Sequence, residues 1–153
     1  MAEEKGLDSL IVWQKAMDFA VYVQKQILPS FPMDEKWALS MQVRRSIQSI
    51  PANIAEGYGR YYYQEGVRFC NIARGSLEEA FTQISLAHML GYITKNIFDK
   101  LNGEIIELRR LLNGYISFLK KSKRGENEPG STHGVHEDPV QYPIDPNYNE
   151  SDS

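Results

Sequence analysis

The 153-residue chain has one cysteine, three histidines and no long apolar run, and each shortage removes a class of function. With Cys70 alone there is no intramolecular disulfide framework and no thiolate zinc site, which suits a reducing interior and a cytoplasmic location. Cys70 reads as a small buried apolar residue. No window reaches the ~20 apolar residues of a membrane span. The opening MAEEKGLDS puts two glutamates ahead of any apolar stretch, unlike a secretory leader. Di-metal sites in helical bundles need Glu-x-x-His pairs, but Ser85 stands three positions before His88, and His133 and His136 lie in a polar, proline-rich stretch. No metal and no cofactor is expected. Glu56 lacks a partner at any fixed spacing that would make it a general base, so an enzyme is not expected either.

Basic residues are absent beyond Arg124. Residues 1–124 hold all 17 Lys and Arg with 13 of the 20 acids, a net +4, while residues 125–153 hold the other 7 acids and four of the seven prolines. The overall charge of −3 therefore hides a mildly basic body. Three segments follow: a flexible lead over 1–9, a folded domain over 10–124, and an acidic Pro-rich tail over 125–153. The tail cannot bury enough surface to offset its ordering entropy and is expected to be disordered. Its charge would let it fold over the positive body and compete with nucleic acid.

What the chain does have is helical periodicity. After a cap at Asp8 or Ser9, Leu10, Trp13, Met17, Ala20 and Ile27 form one stripe, and Val12, Ala16, Phe19 and Val23 form a second beside it. That face is wider than one core needs. It fits a deeply inserted helix, or a helix facing both its own core and another subunit, and the second reading is taken here. Pro29 and Pro32 break the chain around Phe31, a plug for the bundle end. Asp34 opens a second helix, with Asp34 and Glu35 at the positive end of its dipole and an apolar face of Trp37, Leu39, Val43, Ile47, Ile50 and Ile54. Pro51 should bend it, and Gly57 and Gly59 should stop it. A third helix, about Gln64 to His88, carries a small-residue stripe of Gly66, Cys70, Ala73, Leu77, Ala80, Ile84 and Ala87, with Gly75 marking close backbone approach near Ser76 and Gly91 the stop. Capped by Thr94 or Asn96, a fourth repeats Phe98, Leu101, Ile105, Leu108, Leu112, Tyr115 and Leu119 at heptad spacing. The expected fold is all-α: an antiparallel up-down four-helix bundle, its second helix kinked at Pro51.

The polar face of the second helix holds Gln42, Arg45, Ser49, Asn53 and Glu56. Arg45 and Glu56 are separated by about 16 Å of helix rise. A structural network of Arg45, Asn53 and Glu56 must therefore draw partners from other helices or another subunit. Candidate nucleic-acid contacts are Arg44, Arg45, Arg60, Arg68, Arg74, Arg109, Arg110, Lys120 and Lys121, the last two in a cluster running to Arg124, with Tyr61, Tyr62 and Tyr63 as stacking groups. Repeated around a ring of subunits, the modest body charge would become a strongly positive rim or channel.

Val12-Trp13-Gln14-Lys15-Ala16, Phe31-Pro32, Glu35, Leu39, Gln42, Arg45, the run Ser49-Ile50-Pro51-Ala52-Asn53-Ile54-Ala55-Glu56-Gly57, Arg60, Phe69, and Ile72-Ala73-Arg74-Gly75-Ser76-Leu77 with Glu79 resemble the four-helix-bundle proteins encoded in intervening sequences of bacterial 23S ribosomal RNA genes. The resemblance covers about residues 10–120. It implies a bundle assembling into a ring-shaped homopentamer. That family is similar in architecture to accessory proteins of diversity-generating retroelements, which work with a reverse transcriptase and bind nucleic acid. The chain departs from the pattern at Tyr62, where Ser or Thr usually caps the third helix, at Gly66, where an aromatic is usual, and in its tail. The expected function is a non-enzymatic homo-oligomer binding RNA or a ribonucleoprotein through basic surfaces. The alternative is a protein-only scaffold that recruits an enzyme such as a reverse transcriptase.

Overall fold

Four amphipathic segments fold as four helices, α1 (Ile11–Tyr22), α2 (Leu39–Tyr58), α3 (Tyr63–Met89) and α4 (Lys95–Ser122), in a computed structural model that describes residues 5–126. The expectations for residues 1–4 and 127–153 lie outside the described residues. There is no strand among the described residues, and the fold is an all-α four-helix bundle. A π-helical turn, Val23–Ile27, prolongs α1, followed by 3-10 turns at Leu28–Ser30 and Met33–Glu35.

Each helix packs on its chain neighbour, and α1 also packs on α4, which closes the bundle. The pairings that join α2 to α3 run in opposite order along the chain. Ser46 Oγ donates to Gln83 Oε1 at 2.8 Å, Ser49 and Ser76 hydroxyls meet at 2.8 Å, and Gly57 lies on Gly66. Arg74 to Asn113 and Arg109 to Glu78 show the same antiparallel order between α3 and α4. Val43, Ile47, Ile50 and Ile54 from α2 meet Ala73, Leu77, Ala80 and Ile84 from α3 and Leu101, Ile105, Leu108 and Leu112 from α4 in one buried core. Cys70 is buried, and so is Phe31, packed against the Tyr92 ring at 5.7 Å. From α1 the core takes Val12, Ala16, Phe19 and Ala20, leaving Ile11, Met17 and Val21 exposed.

Several helix ends differ from expectation. Neither Asp8 nor Ser9 caps α1: the Ser9 hydroxyl donates to the Gly6 carbonyl, and Leu10 is the N-cap residue. Asp34 does not open α2, because Met33–Glu35 closes as a separate 3-10 turn and Ala38 has a non-helical ψ of −104°. Glu35 caps from a distance instead. Its Oε2 accepts from the Leu39 N–H at 3.0 Å and its Oε1 accepts from the Tyr92 hydroxyl at 2.9 Å. Trp37, placed before the helix proper, is 74% exposed and does not join the core. α2 runs through Pro51 and Gly57 as one element, and Gly59 has φ −72°, so neither glycine is a left-handed stop. Gly57 serves the α2–α3 crossing: a Cβ there would stand 3.0 Å from both the Gly66 carbonyl oxygen and Phe69 Cβ. Gly75 is the reverse case, with nothing within 4 Å of its Cβ position. At Gly91 the expected stop is present. Its φ is +79°, its N–H donates to the His88 carbonyl and the Tyr92 N–H to the Ala87 carbonyl, the two bonds of a Schellman motif. Thr94 caps α4, accepting from the Ile97 N–H at 3.3 Å.

Candidate nucleic-acid interface

The nine basic candidates separate into three groups. Arg44 and Arg45 are exposed on the first half of α2, with no ion pair among the described residues. Arg74 and Arg109 lie along the α3–α4 seam and Arg110 pairs beside the α1–α4 groove, and carboxylates already match Arg109 and Arg110. Arg109 grips Glu78 through Nε at 2.6 Å and a second nitrogen at 3.1 Å, Arg110 grips Glu107 at 2.7 Å, and Arg74 donates to Asn113 and Asn71. The Arg110 pairing lowers the Glu107 carboxyl below its ordinary range and raises the Arg110 guanidinium, because each stabilises the other's charged form.

Arg60, Arg68, Lys120 and Lys121 come together at the end where α2 stops, α3 starts and α4 finishes. Arg60 and Arg68 both lie over the Phe69 ring, at 5.4 and 4.7 Å, while Arg124 lies over the Tyr61 ring at 4.8 Å. The antiparallel packing of α4 on α3 brings its basic end here, and the Tyr63 N–H donates to the Arg124 carbonyl at 3.0 Å. Carboxylates offset part of the charge, Glu56 on Arg60 at 2.7 Å and Glu65 on Arg68 at 3.2 Å, but Lys120 and Lys121 have no such partner among the described residues.

Beside this cluster opens a cleft of about 250 Å³ lined by Tyr58, Tyr61, Tyr62, Tyr115, Phe118 and Leu119, with Arg60 and Arg124 at its edge. Phe118 is 63% exposed and Tyr61 is 49% exposed, so aromatic surface is open to solvent at the basic end. Tyr115 lies deeper, and burial pushes its hydroxyl up to about 12. Tyr63, grouped with Tyr61 and Tyr62 in the sequence, does not line the cleft. Tyr58 and Phe118 are additions that sequence reasoning missed. The available signal for Phe118 is an aromatic one position off the heptad seam that Tyr115 and Leu119 occupy.

Arg45, Asn53 and Glu56 are not joined to one another within the chain. Asn53 Nδ2 donates to the Ser49 carbonyl at 2.8 Å and to its hydroxyl at 2.9 Å, one turn back, and Glu56 takes Arg60 one turn ahead. Both side chains meet partners at i±4 on the same helical face. What ties α2 to α3 is the chain Asn53–Ser49–Ser76 together with Ser46 and Gln83.

A second groove, about 440 Å³ between α1 and α4, is lined by Lys15, Asp18, Tyr22, Lys100, Glu104 and Glu107, with acids and bases nearly balanced. Burial raises the Glu104 carboxyl. His88, the histidine of the folded region, stacks on Phe98 at 4.7 Å, and no group of three or more His, Cys, Asp or Glu is placed to hold a metal among the described residues.

A family model described as 23S rRNA-intervening sequence protein matches residues 8–114. Among solved structures, the chain is similar to a crystal structure of a protein of unknown function from the S23 ribosomal protein family of Bacteroides thetaiotaomicron, at 26% identity and a TM-score of 0.65. That likeness covers 70% of this chain and 96% of the other. A comparison with curated proteins found no match.

Proposed function

Because the chain belongs to the 23S rRNA-intervening sequence protein family, we propose that it works without catalysis, as a homo-oligomeric helical protein that binds RNA or a ribonucleoprotein through basic surfaces. The observation that carries this reading is the end cluster, where Arg60, Arg68, Lys120 and Lys121 share one end of the bundle with exposed tyrosine and phenylalanine rings. Cations that neutralise phosphates next to rings on which bases stack are the two components of sequence-tolerant RNA binding. Lys120 and Lys121 contribute most, since Glu56, Glu65, Glu78 and Glu107 already hold Arg60, Arg68, Arg109 and Arg110.

Oligomerisation is supported by a largely apolar groove between α1 and α2, lined by Trp13, Met17, Val21, Pro51, Ala52 and Ala55. This is the outer part of the wide α1 face. A second copy is its occupant in this reading, and the ring is a homopentamer.

The test is RNA binding by the intact protein across a salt series. Lys120→Glu with Lys121→Glu should weaken binding and flatten the dependence of log K on log salt by roughly 0.7–0.9 for every phosphate that is no longer neutralised. Charge reversal at Arg109 should matter less. Absence of salt-sensitive binding to structured RNA would remove this function and favour a protein-only scaffold.

A further inference from the structure

The aromatic cleft has an occupant of fitting chemistry in the same chain. Rings of Tyr61, Tyr115 and Phe118 line it, and Arg60 and Arg124 stand at its edge. Aromatic-lined grooves take proline-rich segments, because a chain already held extended by proline loses little entropy on docking and its rings lie flat on aromatic faces. Beyond residue 126 the sequence contains Tyr142-Pro143-Ile144-Asp145-Pro146, two prolines three apart with an acid between them. No Lys or Arg occurs past Arg124, so the segment meets the arginine edge with charge of one sign.

The fold also settles where this segment sets out. Lys123 adopts a left-handed φ of +48° and Gly125 a φ of +80°, and the Glu126 N–H donates to the Lys123 carbonyl at 3.0 Å. Together with the bond from Tyr63 to Arg124, this turn lays the chain against the cleft. A Cβ on Gly125 would stand 2.5 Å from the Tyr62 ring. Fifteen residues separate Glu126 from Tyr142, enough to reach out to about 50 Å and therefore ample to return. A tether of this kind holds its end at an effective concentration on the order of millimolar, so a contact with a Kd below that value is mostly formed.

We propose that Tyr142–Pro146 docks in the aromatic cleft of its own chain and covers the arginines at its edge. The α4 side of the cleft, Tyr115 and Phe118, lies beyond the family-matched residues, as does the docking segment. The docking segment, though not the rest of the cleft, belongs to this chain's own extension.

The test uses the full-length protein with a nitroxide spin label on Asn147→Cys. Cys70 is buried and its thiol is pushed up to about 11, so it does not compete for the label. Amide signals of Tyr61, Phe118 and Ser122 should be lost to paramagnetic broadening, while Thr94 at the far end keeps its signal. Pro143→Ala with Pro146→Ala, which leaves the acids in place, should restore the cleft signals, and Phe118→Ala should do so from the other side. Cleft signals untouched by the label overturn the proposal, as does broadening that survives the proline replacements, which would indicate charge attraction alone. Broadening seen only when labelled protein is mixed with an unlabelled copy would assign the cleft to a second copy. Cleft signals that ignore the label but shift with a single-stranded RNA oligonucleotide would assign it to RNA. Either result overturns docking in the same chain.

Discussion

Gly57 and Gly75 respond in opposite directions to one added methyl group. At Gly57 the new Cβ meets the Gly66 backbone and Phe69 Cβ at 3.0 Å, so the crossing helices must separate. Gly57→Ala is expected to destabilise by about 1–3 kcal/mol. Gly75→Ala fills open space on an exposed helix face and should stabilise by about 0.5–1 kcal/mol. Equilibrium denaturation of the two variants checks the pair. A buried thiol and a half-buried phenol make a second case. Cys70 is raised from 9.0 to about 11 and Tyr115 from 10.0 to about 12, chiefly by burial. As pH rises the unfolded chain releases these protons before the folded one does, so stability is complete below pH 9 and declines through 11 and towards 12. Cys70→Ala should remove the earlier part of that decline, as read from denaturation midpoints across the alkaline range.

Among the elements, the start of α2 depends most on one side chain. Glu35 satisfies the Leu39 N–H and ties it to the turn after α3 through Tyr92. Glu35→Ala should cost about 1–2 kcal/mol, on the scale of a lost cap, and should exceed the effect of Tyr92→Phe, which leaves the cap in place. Thermal unfolding of both variants and the double mutant measures this. The helices themselves were legible in the sequence because burial imposes a period: Val43, Ile47, Ile50 and Ile54, and the α4 heptads from Leu101 to Leu112, are buried as their spacing requires. The ends were less legible. Asp34 and Ser9 are good caps by type, but Ser9 turns back to the Gly6 carbonyl, and at α2 a 3-10 turn places the longer Glu35 side chain to reach forward to Leu39. The role of Gly57 depends on Gly66 across the bundle, which no local pattern contains. The same holds for the candidate site: that Arg109 is held by Glu78, 31 residues away, while Lys120 is not, follows from helix register and not from residue type.

For the molecule as a whole, the α1–α2 groove carries the question of assembly. Met17 and Val21 are exposed in the single chain and stand outside its core. Met17→Glu with Val21→Glu should leave helicity unchanged and lower the solution mass to that of a monomer, by sedimentation or light scattering. An unsubstituted protein that already has the mass of a monomer would remove the proposed assembly, and an oligomeric mass that the substitutions leave unchanged would move the interface elsewhere. One bond made near the beginning of the chain has a practical consequence. The Tyr58 hydroxyl donates to the Lys5 carbonyl at 2.8 Å, and Leu10 and Arg124 line the same cleft, so both limits of the described chain lie at one end of the bundle. The described residues thus come close to a circle that has been cut once. A short linker joining the two limits, with new ends opened at the Gly91 turn on the opposite side, should give a circular permutant that keeps the core intact. Such a permutant would also free the aromatic end from whatever is fused to either terminus, so that purification tags placed at the new ends no longer crowd the surface being measured.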